Sequence, residues 1–197
     1  MKKIVIIGAN DFQNQLILKA KEMGFETHVF AWKDGSVGER TADYFYPISI
    51  VETEQILEKC REIKPDAVAS IASDLANITV SKVASGLGLP CNSQECIRLS
   101  TNKYAMREAF TQARIATPRF YRVDRIEPYL FGMKLPIIVK PTDRSGSRAI
   151  TKITDFENLE QAIRDAVAQS FCKEAIVEEY IEGEEYSLSL IHISEPT

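Results

Sequence analysis

Residues 3–8, KIVIIG, restrict the fold more than any other stretch of the chain. Four consecutive apolar residues leave a strand no polar face, so both sides need cover. An apolar run that ends in glycine marks a buried strand of a parallel sheet. The segments after Gly8 fit that pattern. FQNQLILKAKEM carries Phe12, Leu16, Ala20 and Met23 at helical spacing with lysines opposite, and Gly24 supplies a C-terminal stop. The strand ETHVFAW comes next, then the helix ETEQILEKCREI halted by Pro65, the buried strand DAVASI, and a helix over DLANITVSKVASGLG ended by Gly86 and Gly88. Strands alternating with helices predict an α/β unit with a parallel sheet and right-handed crossovers, over residues 1–95. Ligands on such sheets bind beyond the carboxyl ends of the strands. Two turns occupy that edge, Gly8-Ala9-Asn10 and Ser73-Asp74. Asn10 suits a turn conformation and Ser73 or Asp74 suits a helix cap, so neither turn alone points to a ligand.

From residue 96 the pattern changes to α+β. TNKYAMREAFTQA reads as a helix with Tyr104, Ala105, Ala109 and Phe110 as its apolar positions, and Thr117-Pro118 closes the segment. Strands RFYRV, PIIVK and AITKI come next, with EPYLFGM ambiguous between the first two. Thr154-Asp155-Phe156-Glu157 reads as a capping box opening a helix over 155–169, with Phe156, Leu159, Ile163 and Val167 on one apolar face. The strand EAIVEEYI closes the series.

The net charge of −4 gives no bulk attraction for nucleic acid or an anionic membrane, so any phosphate site must be local. The first apolar run is too short for a secretory signal, and no stretch spans a bilayer. Cys60, Cys91, Cys96 and Cys172 form no Cys-x-x-Cys pair and read as reduced thiols of a cytoplasmic protein. The last ten residues, LSLIHISEPT at 188–197, resemble a translated sequencing-adapter end. They are set aside as an artefactual tail, with the natural protein expected to continue past Ser187. Setting them aside removes His192. His28, in a β-rich segment, reads as packing, so a Ser-His-Asp triad or a His-ligated metal has little support.

The chemistry concentrates in IIVKPTDRSGSRAI, residues 137–150. Alternation along the strand puts Ile138 and Lys140 on one face. The chain then offers Arg144, Ser145, Gly146, Ser147 and Arg148. Glycine lets backbone N–H groups approach an anion, serines add donors, and arginines match phosphate oxygens with a planar fork. A hairpin tip has a similar composition, and the loop is no Walker A sequence. Lys103 stands near a helix start, where it opposes the helix dipole. Downstream, VEEYIEGEEYS gathers Glu178, Glu179, Glu182, Glu184 and Glu185 around Tyr180 and Ile181. Such a run keeps a strand edge soluble, or accepts hydrogen bonds from an adenine amine and ribose hydroxyls. A basic phosphate end and an acidic sugar end in one module describe a bound nucleotide.

Taken in order, NKYAMREAF, IIVKPTDRSGSR and VEEYIEGEEYS after a βαβ unit resemble the front part of the ATP-grasp superfamily of carboxylate–amine ligases. The resemblance implies a Rossmann-like preATP-grasp domain over 1–95 and an incomplete ATP-grasp module over 96–187. It implies that Lys103 and Lys140 contact ATP phosphates and that Arg144 to Arg148 is the mobile loop over them. It also implies that Glu178, Glu179, Tyr180 and Ile181 form the adenine hinge and that Glu185 holds the ribose. The implied function is an ATP-dependent ligase that activates a carboxylate as an acylphosphate for a nucleophile, with small-molecule substrates. Its magnesium ligands lie past Ser187, so this stretch is expected to be inactive alone, with no catalytic residue or metal ligand assigned within it. Three positions depart from the family pattern: Asn102 for aspartate, and Arg114 and Ala149 for glycine. Two alternatives stay open. A nicotinamide-dependent dehydrogenase would require Gly-x-Gly-x-x-Gly where the chain reads GANDFQ. A non-catalytic nucleotide-binding module would lack the downstream metal ligands. Oligomeric state and the identity of the substrates are not legible.

Overall fold

Two four-stranded sheets, each with its own core, organise residues 1–184, the part of the chain that this computed structural model describes. The first contains β1 (Lys3–Ile7), β2 (Glu26–Phe30), β3 (Tyr44–Tyr46) and β4 (Ala67–Ala69), all parallel in the order β3-β2-β1-β4. β1 is central, as its apolar run requires. Val5 and Ile7 pack against Ile56, Leu57 and Cys60 of α3 (Thr53–Ile63). Ile4 and Ile6 pack against Ile17 and Ala20 of α1 (Asp11–Glu22). A short α2 (Gly38–Thr41) and α4 (Asp74–Gly86) complete this half. His28 is buried, stacked on Tyr44 and bonded to Tyr46 and Glu26, which fits packing.

Two local expectations need correction. The buried face of α1 comprises Gln13, Asn14, Ile17 and Ala20, whereas Phe12 and Met23 are each 65% exposed. Asn10 caps the helix by accepting from the Phe12 and Gln13 amides, which turns Phe12 to solvent. The Gln13 amide then reaches the Ile71 carbonyl at 2.6 Å, so a polar residue holds the place that periodicity gives to an apolar one. The second is residues 33–48, KDGSVGERTADYFYPI, whose composition reads as a solvated connector; β3 lies within it, and three residues on a sheet edge leave little periodic signal.

The second half begins with α5 (Gln94–Thr101), which the sequence pattern does not reveal, and α6 (Lys103–Gln112). They meet at Asn102, whose side chain accepts from the Ala105 amide at 2.9 Å and caps α6. β5 (Phe120–Val123), β6 (Ile137–Pro141), β7 (Thr151–Ile153) and β8 (Ala175–Glu179) form an antiparallel sheet in the order β5-β8-β6-β7. Ile137, Val139 and Val177 point to one face and are covered by Leu159, Ile163 and Ala166 of α7 (Leu159–Gln169). The ambiguous segment is a 3-10 helix, Pro128–Gly132. The capping box is revised. Asp155 itself caps, accepting from the Glu157 amide at 2.9 Å, and a 3-10 turn, Phe156–Asn158, precedes the α-helix. Among the described residues no helix is long and apolar enough to cross a membrane.

The end of α6 stores a local strain. The Ile115 amide donates to the Phe110 carbonyl at 2.8 Å and the Arg114 amide to Thr111 at 3.0 Å. That places Arg114 at the left-handed position that normally takes glycine, with φ of +58°. Arg114→Gly is therefore expected to stabilise the fold by roughly 0.5–1 kcal/mol, seen as a higher urea midpoint with unchanged slope. An unchanged or lower midpoint would show that the side chain offsets its backbone cost.

Candidate functional site

Strand alternation on β6 sends Ile137, Val139 and Pro141 into the core and leaves Ile138 and Lys140 on the opposite face. On β8, Glu178 pairs in register with Ile138, so its carboxylate lies on that same face beside Lys140. α6 bears on this face and supplies Lys103 at its first residue and Arg107 one turn later. Glu178 is the centre: one carboxylate oxygen is paired with the Lys140 ammonium, and the other accepts from Arg107 Nε at 2.8 Å. Its side chain is 4% exposed. Burial alone would raise the Glu178 carboxyl, but hydrogen bonds from Arg107 and Lys140 hold it below its ordinary value. Burial, and then the charge of Lys140, push the Lys103 ammonium down. Lys140 and Arg107 therefore share one buried carboxylate, while Lys103 beside them feels the charges of Lys140, Asp74, Asp143 and Glu178.

The loop after β6 closes over this cluster. Its base is tied down: Asp143 accepts from the Phe171 and Cys172 amides at 3.2 and 2.8 Å, and the Lys103 amide donates to the Thr142 carbonyl at 2.7 Å. The Lys103 ammonium donates to the Arg144 carbonyl, which fastens the loop to the cluster. Beyond that point Ser145, Gly146, Ser147 and Arg148 are exposed. Gly146, Ser147 and Ala149 have φ of +72°, +55° and +51°. Ala149 is one of the two positions where the resemblance expects glycine, and the other, Arg114, is left-handed as well. The loop is also the connection of the β6–β7 hairpin, as the hairpin reading of its composition expects.

The Arg144 guanidinium lies 4.3 Å from the Phe171 ring, and its Nε is buried without a partner. It faces a cleft of about 670 Å³ between the loop and the first sheet. Across the cleft stand the Gly8-Ala9-Asn10 turn, Trp32 after β2, and Ser73 at the cap of α4. This is the point where strand order reverses, with connections leaving β1 and β4 in opposite directions. Ser73 accepts from the Ala76 amide, so it caps as expected, as Asn10 does, while also lining the cleft.

Of the residues singled out from sequence, the structure brings together Lys103, Lys140, Glu178 and the backbone of Arg144. Ser145, Gly146 and Arg148 line the cleft with the Arg144 side chain. Glu179, Tyr180 and Ile181, at the end of β8, line a second cavity of about 600 Å³ with Pro136 and Lys152. There Glu179 pairs with Arg119 at 2.9 Å, and the Lys152 ammonium sits 3.6 Å from the Tyr180 ring centre. Glu185 and the set-aside tail, 188–197, lie outside the described residues. Sequence reading misses Arg107, which its position one turn after Lys103 marks as sharing that face, and it misses Trp32 and Phe171. Among the described residues no group of three or more His, Cys, Asp or Glu is placed to hold a metal.

Residues 100–196, which contain both lysines, the loop and β8, match the model of the ATP-grasp domain. That match supports an ATP-grasp assignment for residues 100–196. It is 24% identical, over 98% of its length, to a formate-dependent phosphoribosylglycinamide formyltransferase of Prochlorococcus marinus, 50% of which is covered. Among solved structures, an L-amino acid ligase from Bacillus licheniformis superimposes with a TM-score of 0.75 at 20% identity, over 93% of this chain and 45% of that one. The biotin carboxylase domain of Hydrogenobacter thermophilus 2-oxoglutarate carboxylase, in complex with MgADP, ADP and bicarbonate, gives 0.72 at 21% identity, over 92% and 44%. The chain spans about half the length of the curated relatives it matches. These likenesses place both sheets of this chain in a known arrangement.

Removing the central carboxylate leaves the partly buried Lys140 and Arg107 without their partner, so Glu178→Ala is expected to cost about 3 kcal/mol in urea unfolding near neutral pH. The folded Glu178 pKa lies below 4.5, so its contribution is complete above 4.5 and is lost as pH falls through the lower folded value. The deficit of the variant should therefore shrink on acidification. A deficit that stays constant with pH would show that the lost stability is packing rather than charge.

Proposed function

We propose that this chain is the nucleotide-binding front of an ATP-dependent ligase, which activates a small-molecule carboxylate as an acylphosphate for attack by an amine or other nucleophile. In this reading residues 1–95 are the preATP-grasp domain, residues 96–187 are the first part of the ATP-grasp module, and the partners are small molecules. One observation carries the proposal: Lys103 and Lys140, 37 positions apart in the chain, come close enough for the charge of one to depress the other, with Lys140 paired to the buried Glu178 and Lys103 bonded to the Arg144 carbonyl of the 142–150 loop.

Such a cluster suits a polyphosphate. Two ammonium groups and the loop's backbone and serine donors would take the phosphate oxygens and stabilise charge on the transferring phosphoryl group. Magnesium, supplied with ATP, would be held by residues outside this stretch and would add charge neutralisation at the phosphates. Glu178, an acceptor only while ionised, would be shared between the lysines and the exocyclic amine of adenine. Glu179 to Ile181 would carry the base at the neighbouring cavity and Glu185 the ribose. Support comes from the family match and from the MgADP-bound carboxylase domain that shares the fold. A dinucleotide reading has no such support, and the turn after β1 is occupied by the Asn10 cap.

The test is nucleotide binding in the intact protein that carries this chain. Charge-assisted hydrogen bonds contribute about 1.5–3 kcal/mol each, so Lys140→Ala is expected to raise the dissociation constant for ATP at least tenfold. Unchanged ATP affinity in a folded variant would remove Lys140 from the site.

A further inference from the structure

We infer that the cleft between the 142–150 loop and the first sheet takes a small acid with one negative charge and a flat or branched apolar body, rather than a sugar phosphate. The inference rests on the ligase reading and names the class of acid for it.

The apolar part comes from convergence. Single exposed apolar side chains are ordinary on protein surfaces, but a group of them facing one concavity marks a binding site. Trp32, Val51 and Phe171 are 64%, 43% and 53% exposed, and all three line this cleft. Ile50 and Leu75 add to the same wall. Trp32 directly follows Val29, Phe30 and Ala31, which are buried, so the chain brings an indole into the open at the carboxyl end of a core strand. The volume of about 670 Å³ lies in the range of small-molecule sites.

The charge of the occupant follows from Arg144. Its guanidinium lies 4.3 Å from the Phe171 ring centre, the buried Nε has no acceptor, and Arg148 lines the same cleft. A buried donor without a partner costs free energy until an anion meets it, and a carboxylate matches the planar fork with two parallel bonds. Asp34 stands on the same lining, accepting from the Ser36 amide at 3.0 Å and from its hydroxyl. A fixed negative charge there penalises a dianionic phosphate more than a carboxylate bound at Arg144.

Trp32 is the single tryptophan of these 197 residues, and in the intact protein that carries them its emission is isolated as the difference from a Trp32→Phe variant. Titration with 3-phenylpropionate is expected to change Trp32 emission saturably, and ribose 5-phosphate over the same range is not. Arg144→Gln, and separately Val51→Asp, should weaken phenylpropionate at least fivefold with the circular dichroism spectrum retained. Saturable binding of ribose 5-phosphate at lower concentration than phenylpropionate overturns the inference, and so does the absence of any saturable response. ADP binding, followed by calorimetry on the same samples, separates the two claims. ADP bound with no response to the acid sinks the cleft assignment and leaves the ligase reading. Acid bound with no ADP supports the cleft and sinks the ligase reading.

Discussion

The second sheet depends on one buried ion cluster. Glu178 offers two carboxylate oxygens, and Lys140 and Arg107 take one each, while Lys103 is fastened to the loop carbonyl above them. Burying a charge costs several kcal/mol per ion unless partners and hydrogen bonds offset it. One carboxylate among three cations offsets that cost only in part, which the lowered Lys103 ammonium records. An incoming polyphosphate would supply the missing negative charge. On the proposed reading, that ligand would explain a face otherwise better packed as hydrocarbon.

The same loop joins the two halves. Its base is bonded to the segment before β8 through Asp143 and to α6 through Thr142, while its tip faces the turns at the carboxyl edge of the first sheet. One side of the loop meets the lysines and the other meets the cleft. On the proposed reading, a phosphoryl group held on the first side would be adjacent to the acid on the second, and one short connection would serve both reactants.

Much of this is legible in the chain because it is local. The double-sided burial of β1 comes from KIVII, and the placement of Lys140 opposite the core comes from alternation in IIVKP. The glycine positions occupied by Arg114 and Ala149 carry the positive φ that glycine tolerates best. Long-range and weakly periodic features stay hidden. Arg107 and Glu178 are separated by 71 positions, so their pairing needs the tertiary fold. The phase of α1 misleads because a buried glutamine bonded to Ile71 replaces an apolar residue. α5 and β3 escape notice because eight and three residues carry too little pattern. The cleft needs both halves at once, and Trp32 looks like the end of a strand until the loop stands opposite.

The claim beneath all of this is that Lys103 and Lys140 form one phosphate-binding pair. Amine-reactive labelling, read lysine by lysine by mass spectrometry with and without MgADP, tests it most directly. The account predicts that both lysines lose reactivity together as nucleotide saturates, while Lys19 and Lys59, on the exposed surface of the first half, keep theirs. Protection of neither lysine at saturating nucleotide, or of one without the other, would contradict it.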